Sequence, residues 1–425
     1  MEILSIGEKI KRARIYKGLT LRDMCKDKIS VSKMSCIENN KVSIDDSILE
    51  YIGEKLDLDI KYLTHDIKSQ IQDNIETFKE HRNNNSYYKN YVEEVKYNLS
   101  FAEQYKYYDL CCELEHLLFS YYLYKRDFEK LRVIIPKYYD LCQNIQNEIF
   151  KLKYYMDIAV YLSSNNEYIQ AISYYSGIRK RLKELDLEDK RYIIKVTYNE
   201  CAAYIIVEDF ENAEKVCEEL KALIPFCEKD TIKGDIYYLC ALLALHMNDE
   251  EKFNYYKEKS FICYKDDIKK IAISLQSFSK IISKNNNGRE KAERLLRDAI
   301  DIYPKDNLED SCVFLTSCIE DLIRFNLIEL AQTITDEVLN YAITLDSIKF
   351  IESAYYYKAI LLQMQNNYQS SETYMNLSLD SLVRYGTKDK IYKRYLEMGK
   401  MYHKLGETSE SIKFFNLAMQ LERKI

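Results

Sequence analysis

The sequence predicts an all-α protein, and three observations lead there. Its 425 residues include only 3 prolines and 9 glycines, too few turn formers for the many tight corners of a sandwich or barrel. Its segments read at helical rather than alternating period. A tyrosine-rich helical pattern also returns about every 40 residues over most of the chain, the mark of a repeat array. One hydrophobic core does not extend over such a length, so either several domains or an extended array is expected.

Composition removes several classes. No run of 18 or more apolar residues occurs, and the opening MEILSIGEKIKR lacks the basic-then-apolar order of a signal peptide, so a soluble, cytoplasmic protein is expected. Twelve cysteines are scattered, with Cys111 and Cys112 adjacent and no C-x-x-C pair; free, mostly buried thiols are expected. The histidines, His65, His81, His116, His246 and His403, fall in no metal-binding spacing, and neither metal nor cofactor is expected. No glycine-rich phosphate loop or nucleophile–base constellation is recognisable, which argues against an enzyme. The formal charge is −6, unevenly placed: residues 1–41 hold 7 Lys and 3 Arg against 2 Asp and 3 Glu, a net of +5, leaving −11 for the rest. One end suits nucleic acid and the remainder repels it.

Five short helices are expected in the first 65 residues. Leu4, Ile6, Ile10, Ala13 and Ile15 form an apolar stripe, with Glu8, Lys9, Lys11, Arg12, Arg14 and Lys17 on the other faces, and Gly18 ends the helix. Thr20 with Asp23 resembles a capping box and starts a short helix through Met24 and Cys25. A turn near Asp27 to Ile29 leads to Ser30, the expected N-cap of a third helix ending in ENNK. Ser43 with Asp46 opens a fourth, whose Ile48, Leu49, Ile52 and Leu56 supply core, and DLDIKYL closes the unit. The second and third helices, joined by a tight turn, form a helix-turn-helix arrangement.

The runs IGEKIKRARIYKGLTLRDM, SKMSCIENNK and ILEYIGEKLDLDIKYL resemble the lambda-repressor/Cro (XRE) helix-turn-helix over residues 5–63. The resemblance implies that the third helix enters the major groove. Val31, Ser32, Lys33 and Cys36 would then reach base edges, Asn39 and Lys41 would contact phosphate, and Arg14 would pair with Glu38. Asn40 stands where the family has glycine, and asparagine tolerates the left-handed backbone required there. Leu21 replaces a polar residue that often contacts phosphate.

Residues 66–86 read as a connector: a polar helix, IKSQIQDNIETFKEHR, and the loop NNNS. Beyond it, residues 87–425 repeat. Gly399, Tyr402, Leu405, Gly406, Ser411, Phe415 and Ala418 fall at the offsets of a tetratricopeptide (TPR) repeat, two antiparallel helices and a short turn. With Ser411 as the anchor of a second helix, matching positions recur at Ser371, Ala331, Ala292, Phe253, Ala213, Ala171 and Leu131, 39 to 42 residues apart. Pro225 and Pro304 each follow an anchor by 12 residues. Small anchors allow close helix approach, and the tyrosines are expected mainly as core between pairs. About eight such pairs should curl into a right-handed superhelix. The expected inner wall carries Tyr198, Asn199, Tyr238, Ser277, Lys284, Glu320, Arg324, Tyr356, Gln363 and Lys400 as peptide contacts.

A Cro-type domain followed by TPR repeats resembles the RRNPP family of quorum-sensing regulators from Gram-positive bacteria, and the composition is compatible with its clostridial sporulation and toxin regulators. The resemblance implies a cytoplasmic homodimer that binds an inverted-repeat promoter site in double-stranded DNA and represses it, under the control of a short signalling peptide in the repeat groove. An alternative, also implied by relatives, is an adaptor that sequesters a sporulation phosphorelay or response-regulator protein through its repeats.

Overall fold

The computed structural model describes residues 2–25, 28–83, 86–284 and 288–422. Asp27 of the expected turn, and Asn84 and Asn85 of the expected connector loop, lie outside the described residues. The described residues form 23 α-helices and one 3-10 turn, with no strand. Among them, no helix is long and apolar enough to cross a membrane. The chain divides into two compact units, Met1–Glu208 and Asp209–Ile425.

The first unit begins with five short helices: α1 (Ile6–Tyr16), α2 (Leu21–Cys25), α3 (Val31–Glu38), α4 (Asp46–Leu56) and α5 (Ile60–Thr64). Ser5 caps α1 in a full capping box with Glu8. Thr20 and Asp23 exchange bonds at the start of α2, the Thr20 N–H donating to Asp23 Oδ2 at 2.7 Å. Ser30 caps α3 as expected, accepting from the Lys33 N–H at 3.1 Å. Ile10, Met24, Met34, Ile37, Ile52, Leu56 and Leu63 make the core.

Three local expectations differ. Ile15 is exposed: five residues place it about 140° around the helix from Ile10, off the buried stripe. Lys9 is buried, and its Nζ donates to the carbonyls of Tyr62 (2.7 Å) and His65 (2.6 Å) at the end of α5, where a cation suits the helix dipole. The fourth helix has Asp45 rather than Ser43 at its N-cap position, without a side-chain cap bond, because the backbone is extended at Asp45 and turns helical only at Asp46.

The first unit continues with α6 (Ile67–Asn83), α7 (Tyr91–Gln104), α8 (Tyr108–Tyr124), α9 (Phe128–Gln143), α10 (Glu148–Ser164), α11 (Tyr168–Leu185) and α12 (Arg191–Ile206). Helix α6 is not polar all round, as expected from its sequence, but has a narrow buried stripe. Ile67, Ile71, Ile75 and Phe78 recur at intervals of four and three, and they join Tyr91, Val95 and Leu99 of α7 in one core.

The second unit holds α13 (Phe210–Ala222), α14 (Asp230–His246), α15 (Glu250–Tyr264), α16 (Ile268–Ile282), α17 (Arg289–Ile302), α18 (Leu308–Arg324), α19 (Ile328–Thr344), α20 (Ile348–Met364), α21 (Tyr368–Tyr385), α22 (Lys388–Leu405) and α23 (Thr408–Glu422). Pro225 lies in the 3-10 turn Ile224–Phe226 after α13, and Pro304 follows α17.

The repeat is visible in the backbone itself. Arg126, Asn166, Glu208, Asn248, Asn326, Asn366 and Gly406 all have positive φ, between 54° and 82°, and each precedes an expected anchor by five residues. At six of these corners the next N–H reaches back to a carbonyl near the end of the preceding helix, as Asp127 to Tyr122 (2.9 Å) and Glu407 to Tyr402 (3.0 Å) illustrate. All eight anchors are buried. Ser371 Oγ donates to Ala359 O, and Ser411 Oγ to Gly399 O, both at 2.9 Å across their helix pairs. A Cβ on Gly399 would lie 2.8 Å from the Phe415 ring, so a larger residue there would require that ring to shift.

The tyrosines are less buried than expected. Tyr91, Tyr138 and Tyr175 are fully enclosed, but Tyr16, Tyr124 and Tyr255 are among those exposed. Others pack the ring and place the hydroxyl on a carboxylate, as in Tyr264–Asp235 (2.9 Å) and Tyr357–Glu320 (2.6 Å), and exposed Tyr385 likewise donates to Glu352 (2.9 Å). A phenol needs a polar partner when its ring packs, and this acidic chain supplies carboxylates. All twelve cysteines are free, ten of them buried.

Candidate nucleic-acid interface and ligand cavity

Helix α3 is held from behind by two devices. Arg14 grips Glu38 with two bonds, Nε to Oε1 at 2.6 Å and Nη2 to Oε2 at 2.9 Å, and donates a third to Leu19 O at 2.8 Å. Glu38 is 5% exposed, and the paired carboxylate raises the Arg14 pKa. Just beyond α3, Asn40 has the left-handed backbone expected of it, with φ 55°. Its side chain accepts from the Gly7 N–H at 3.1 Å and donates to Ser5 Oγ at 2.7 Å, tying the end of α3 to the start of α1. Gly7 is needed there, because a Cβ would collide with the carbonyl oxygen of Ile37.

With its rear face fixed, α3 presents Val31, Ser32 and Lys33 to solvent, while Cys36 is half-buried one turn later. Asn39 and Lys41 are exposed past its end, and Asn39 donates to Ser35 O at 2.7 Å. Lys33 lies 3.4 Å from Asp45, so an acid flanks this surface. That neighbour, on the far side of the α3–α4 loop, has no signal in the sequence.

The bundle is joined to α6 through its first residues. Leu4 and Gln70 exchange two hydrogen bonds, at 3.0 and 2.9 Å, and Gln70 also donates to His65 O at 2.9 Å. Ile3 is 2% exposed and belongs to the core of α6, α7 and the helices beyond.

The expected peptide contacts fall on both units. Tyr198 and Asn199 lie half-buried on α12; the others belong to the second unit. There many of them bridge neighbouring helices. Glu320 accepts from Tyr357 and Tyr356 donates to Glu397 at 2.9 Å, whereas Arg324 lies 3.3 Å from buried Asp321 of its own helix. Gln363 is turned inward onto the anchor Ser371 at 3.1 Å. Ser277 bonds Ile273 O of its own helix at 2.9 Å, and Lys284 is exposed beyond the end of α16. Lys400 is exposed on α22.

Within the first unit lies a cavity of about 740 Å³ between α6, α8, α10 and α12. Nothing local in the sequence marks its lining. Arg82 Nη1 donates to His116 Nε2 at 2.6 Å, which requires the His116 proton on Nδ1; that nitrogen lies 2.6 Å from Asp157 Oδ2. Tyr138 donates to the same oxygen at 3.1 Å, and burial beside Asp157 pushes its pKa well up. His116 and Asp157 are 41 residues apart, one repeat, a spacing that gives a signal only once the repeat phase is known.

No family model matches this chain, and no match was found among curated proteins. Among solved structures, the chain is similar to the apo quorum sensor NprR from Bacillus thuringiensis, at 14% identity and a TM-score of 0.46 over 84% of this chain and 100% of that one. A Rap protein complexed with competence and sporulation factor is 10% identical, with a TM-score of 0.47 over 84% and 98% of the two chains. Bacillus thuringiensis PlcR, in complex with the peptide PapR7 and DNA, is 19% identical, with a TM-score of 0.38 over 64% and 98%. These solved neighbours are RRNPP-type proteins, the family whose pattern of parts the sequence resembles.

Proposed function

We propose that the chain is a DNA-binding transcriptional regulator, acting as a homodimer on an inverted-repeat promoter site and repressing it, with a short signalling peptide bound to the repeats as its control. The observation that carries the DNA-binding half is α3: a capped helix, braced by Arg14–Glu38 and Asn40, with its first turn open to solvent. A helix fixed this way loses little freedom on entering a groove. Ser32 can donate to or accept from a base, Val31 can meet a thymine methyl, and Lys33 and Lys41 can approach phosphates or guanine acceptors. Such short readers give limited affinity singly, so two copies on two half-sites are needed.

Control is proposed as a population shift: a peptide that contacts one arrangement of the repeats better than another changes the placement of the paired DNA-binding bundles. The peptide-binding roles expected for Tyr238, Ser277, Glu320 and Arg324 belong to this proposal. Footprinting of the full chain on promoter fragments tests the reading. A protected inverted repeat is expected, with protection lost in the Lys33→Ala, Lys41→Ala double variant; equal protection by that variant would remove α3 as the reading helix.

A further inference from the structure

The cavity between α6, α8, α10 and α12 carries charge that its surroundings leave unmatched. Among the described residues, three cations border it without a carboxylate partner. Arg82 donates to neutral groups, His116 and Asn83 Oδ1 (3.1 Å). Lys153 holds its ammonium over the rings of Phe150 and Tyr192, 5.1 and 5.6 Å from their centroids. Lys195 is exposed at the rim. The two acids of the lining are already engaged: Glu113 is 2.7 Å from Lys79, and Asp157 is held by His116 and Tyr138. A chain of net charge −6 has carboxylates to spare, yet no described one is set against these three groups.

Between the cations the wall is apolar, with Phe119, Leu123, Met156 and Val160. About 740 Å³ is the size of an organic ligand's pocket rather than a bare ion's. Unmatched cations beside apolar wall complement a molecule with an anionic end and an apolar body.

We propose that this cavity is an effector site for a ligand carrying a terminal carboxylate on an apolar or aromatic body, either the C-terminal end of a short peptide or a free organic acid. The carboxylate meets Arg82, Lys153 and Lys195, and the body packs on Phe119 and Met156. Helix α6 supplies Arg82 at one end and, twelve residues or about 18 Å earlier, Gln70, which holds Leu4 of the DNA-binding bundle. One helix thus connects the cavity to the bundle. The effector role rests on the function proposed above; ligand binding itself does not.

Equilibrium dialysis of the full chain provides the test, using a synthetic hexapeptide library ending in Leu or Phe with a free carboxylate, the same library amidated, and 4-phenylbutyrate as competitor. The free-carboxylate library is expected to be retained at least tenfold better than the amide. The Lys153→Glu, Lys195→Glu variant should lose that retention, while Lys215→Glu, at an exposed position outside the lining, should keep it. Thermal melts that match the parent chain establish that the variants are folded. Displacement by 4-phenylbutyrate assigns the site to free acids as well; failure to displace assigns it to a peptide end. No retention of either library, equal retention of acid and amide, or undiminished retention by the charge-reversed chain overturns the proposal. No DNA is present, so a negative result leaves the DNA-binding reading standing, and a failed footprint leaves this one standing.

Discussion

Leu4 and Gln70 clasp each other through a reciprocal pair of hydrogen bonds: the Leu4 N–H donates to Gln70 Oε1 at 3.0 Å, and Gln70 Nε2 returns one to Leu4 O at 2.9 Å. A side-chain amide here does what a neighbouring strand does for an extended backbone. It satisfies both polar groups of a residue adjoining buried Ile3. Removing it with Gln70→Ala also strips a bond from His65 O. At about 0.5–1.5 kcal/mol for each bond removed, deuterium exchange at the Leu4 amide should accelerate about tenfold, while exchange in α20 and α21 stays unchanged.

Arg14 and Glu38 should be strongly non-additive. Arg14→Ala leaves a carboxylate at 5% exposure without its two donors, expected to cost about 3–5 kcal/mol. The double variant Arg14→Met, Glu38→Leu, which removes both charges and restores bulk, should cost far less. Urea unfolding followed by circular dichroism, completed as a double-mutant cycle, measures the coupling.

Lys33 and its flanking acid give opposite effects on DNA binding. Asp45→Asn removes a negative charge 3.4 Å from Lys33 and should tighten binding about two- to fivefold at low salt. Lys33→Ala with Lys41→Ala should reduce the slope of log K against log salt by about 0.9 for each phosphate no longer neutralised. Fluorescence anisotropy across a salt series reads both.

Glu115 supplies a pH signature. It is 1% exposed, with Oε1 3.2 Å from Lys137 and Oε2 without a hydrogen-bond partner among the described residues, and burial raises its pKa above the ordinary 4.5. The folded chain therefore favours the protonated form. This contribution is fully present below the unfolded pKa and is lost as pH rises through the folded one. Glu115→Gln imitates the protonated group, so it should raise the melting temperature of the first unit by about 2 °C at pH 7 and leave it unchanged at pH 4. Melts at the two pH values provide the check.

The helical class and the repeat phase are legible in the sequence because they rest on spacing. Every anchor from Leu131 to Ser411 is buried, and the Arg14–Glu38 pair and the left-handed Asn40 align with a known pattern. Burial that depends on tertiary neighbours is harder to see. Lys9 reads as surface until the carbonyls ending α5 arrive above it, and α6 reads as polar because only a narrow isoleucine stripe is covered. The cavity is illegible for a related reason. Arg82, His116 and Asp157 lie on three different helices, and nothing local marks any of them.

The left-handed corners carry a consequence for how this chain can be edited. Apart from Gly406 they use Arg, Asn or Glu, although a side chain there costs roughly 1–2 kcal/mol against glycine. Since Asn326 and Asn366 present the same local turn to the helix that follows, they are matched seams. Excising the forty residues 327–366 rejoins equivalent backbone with its phase intact, so the array can be shortened by a whole module where a cut of any other length would throw the anchors out of step.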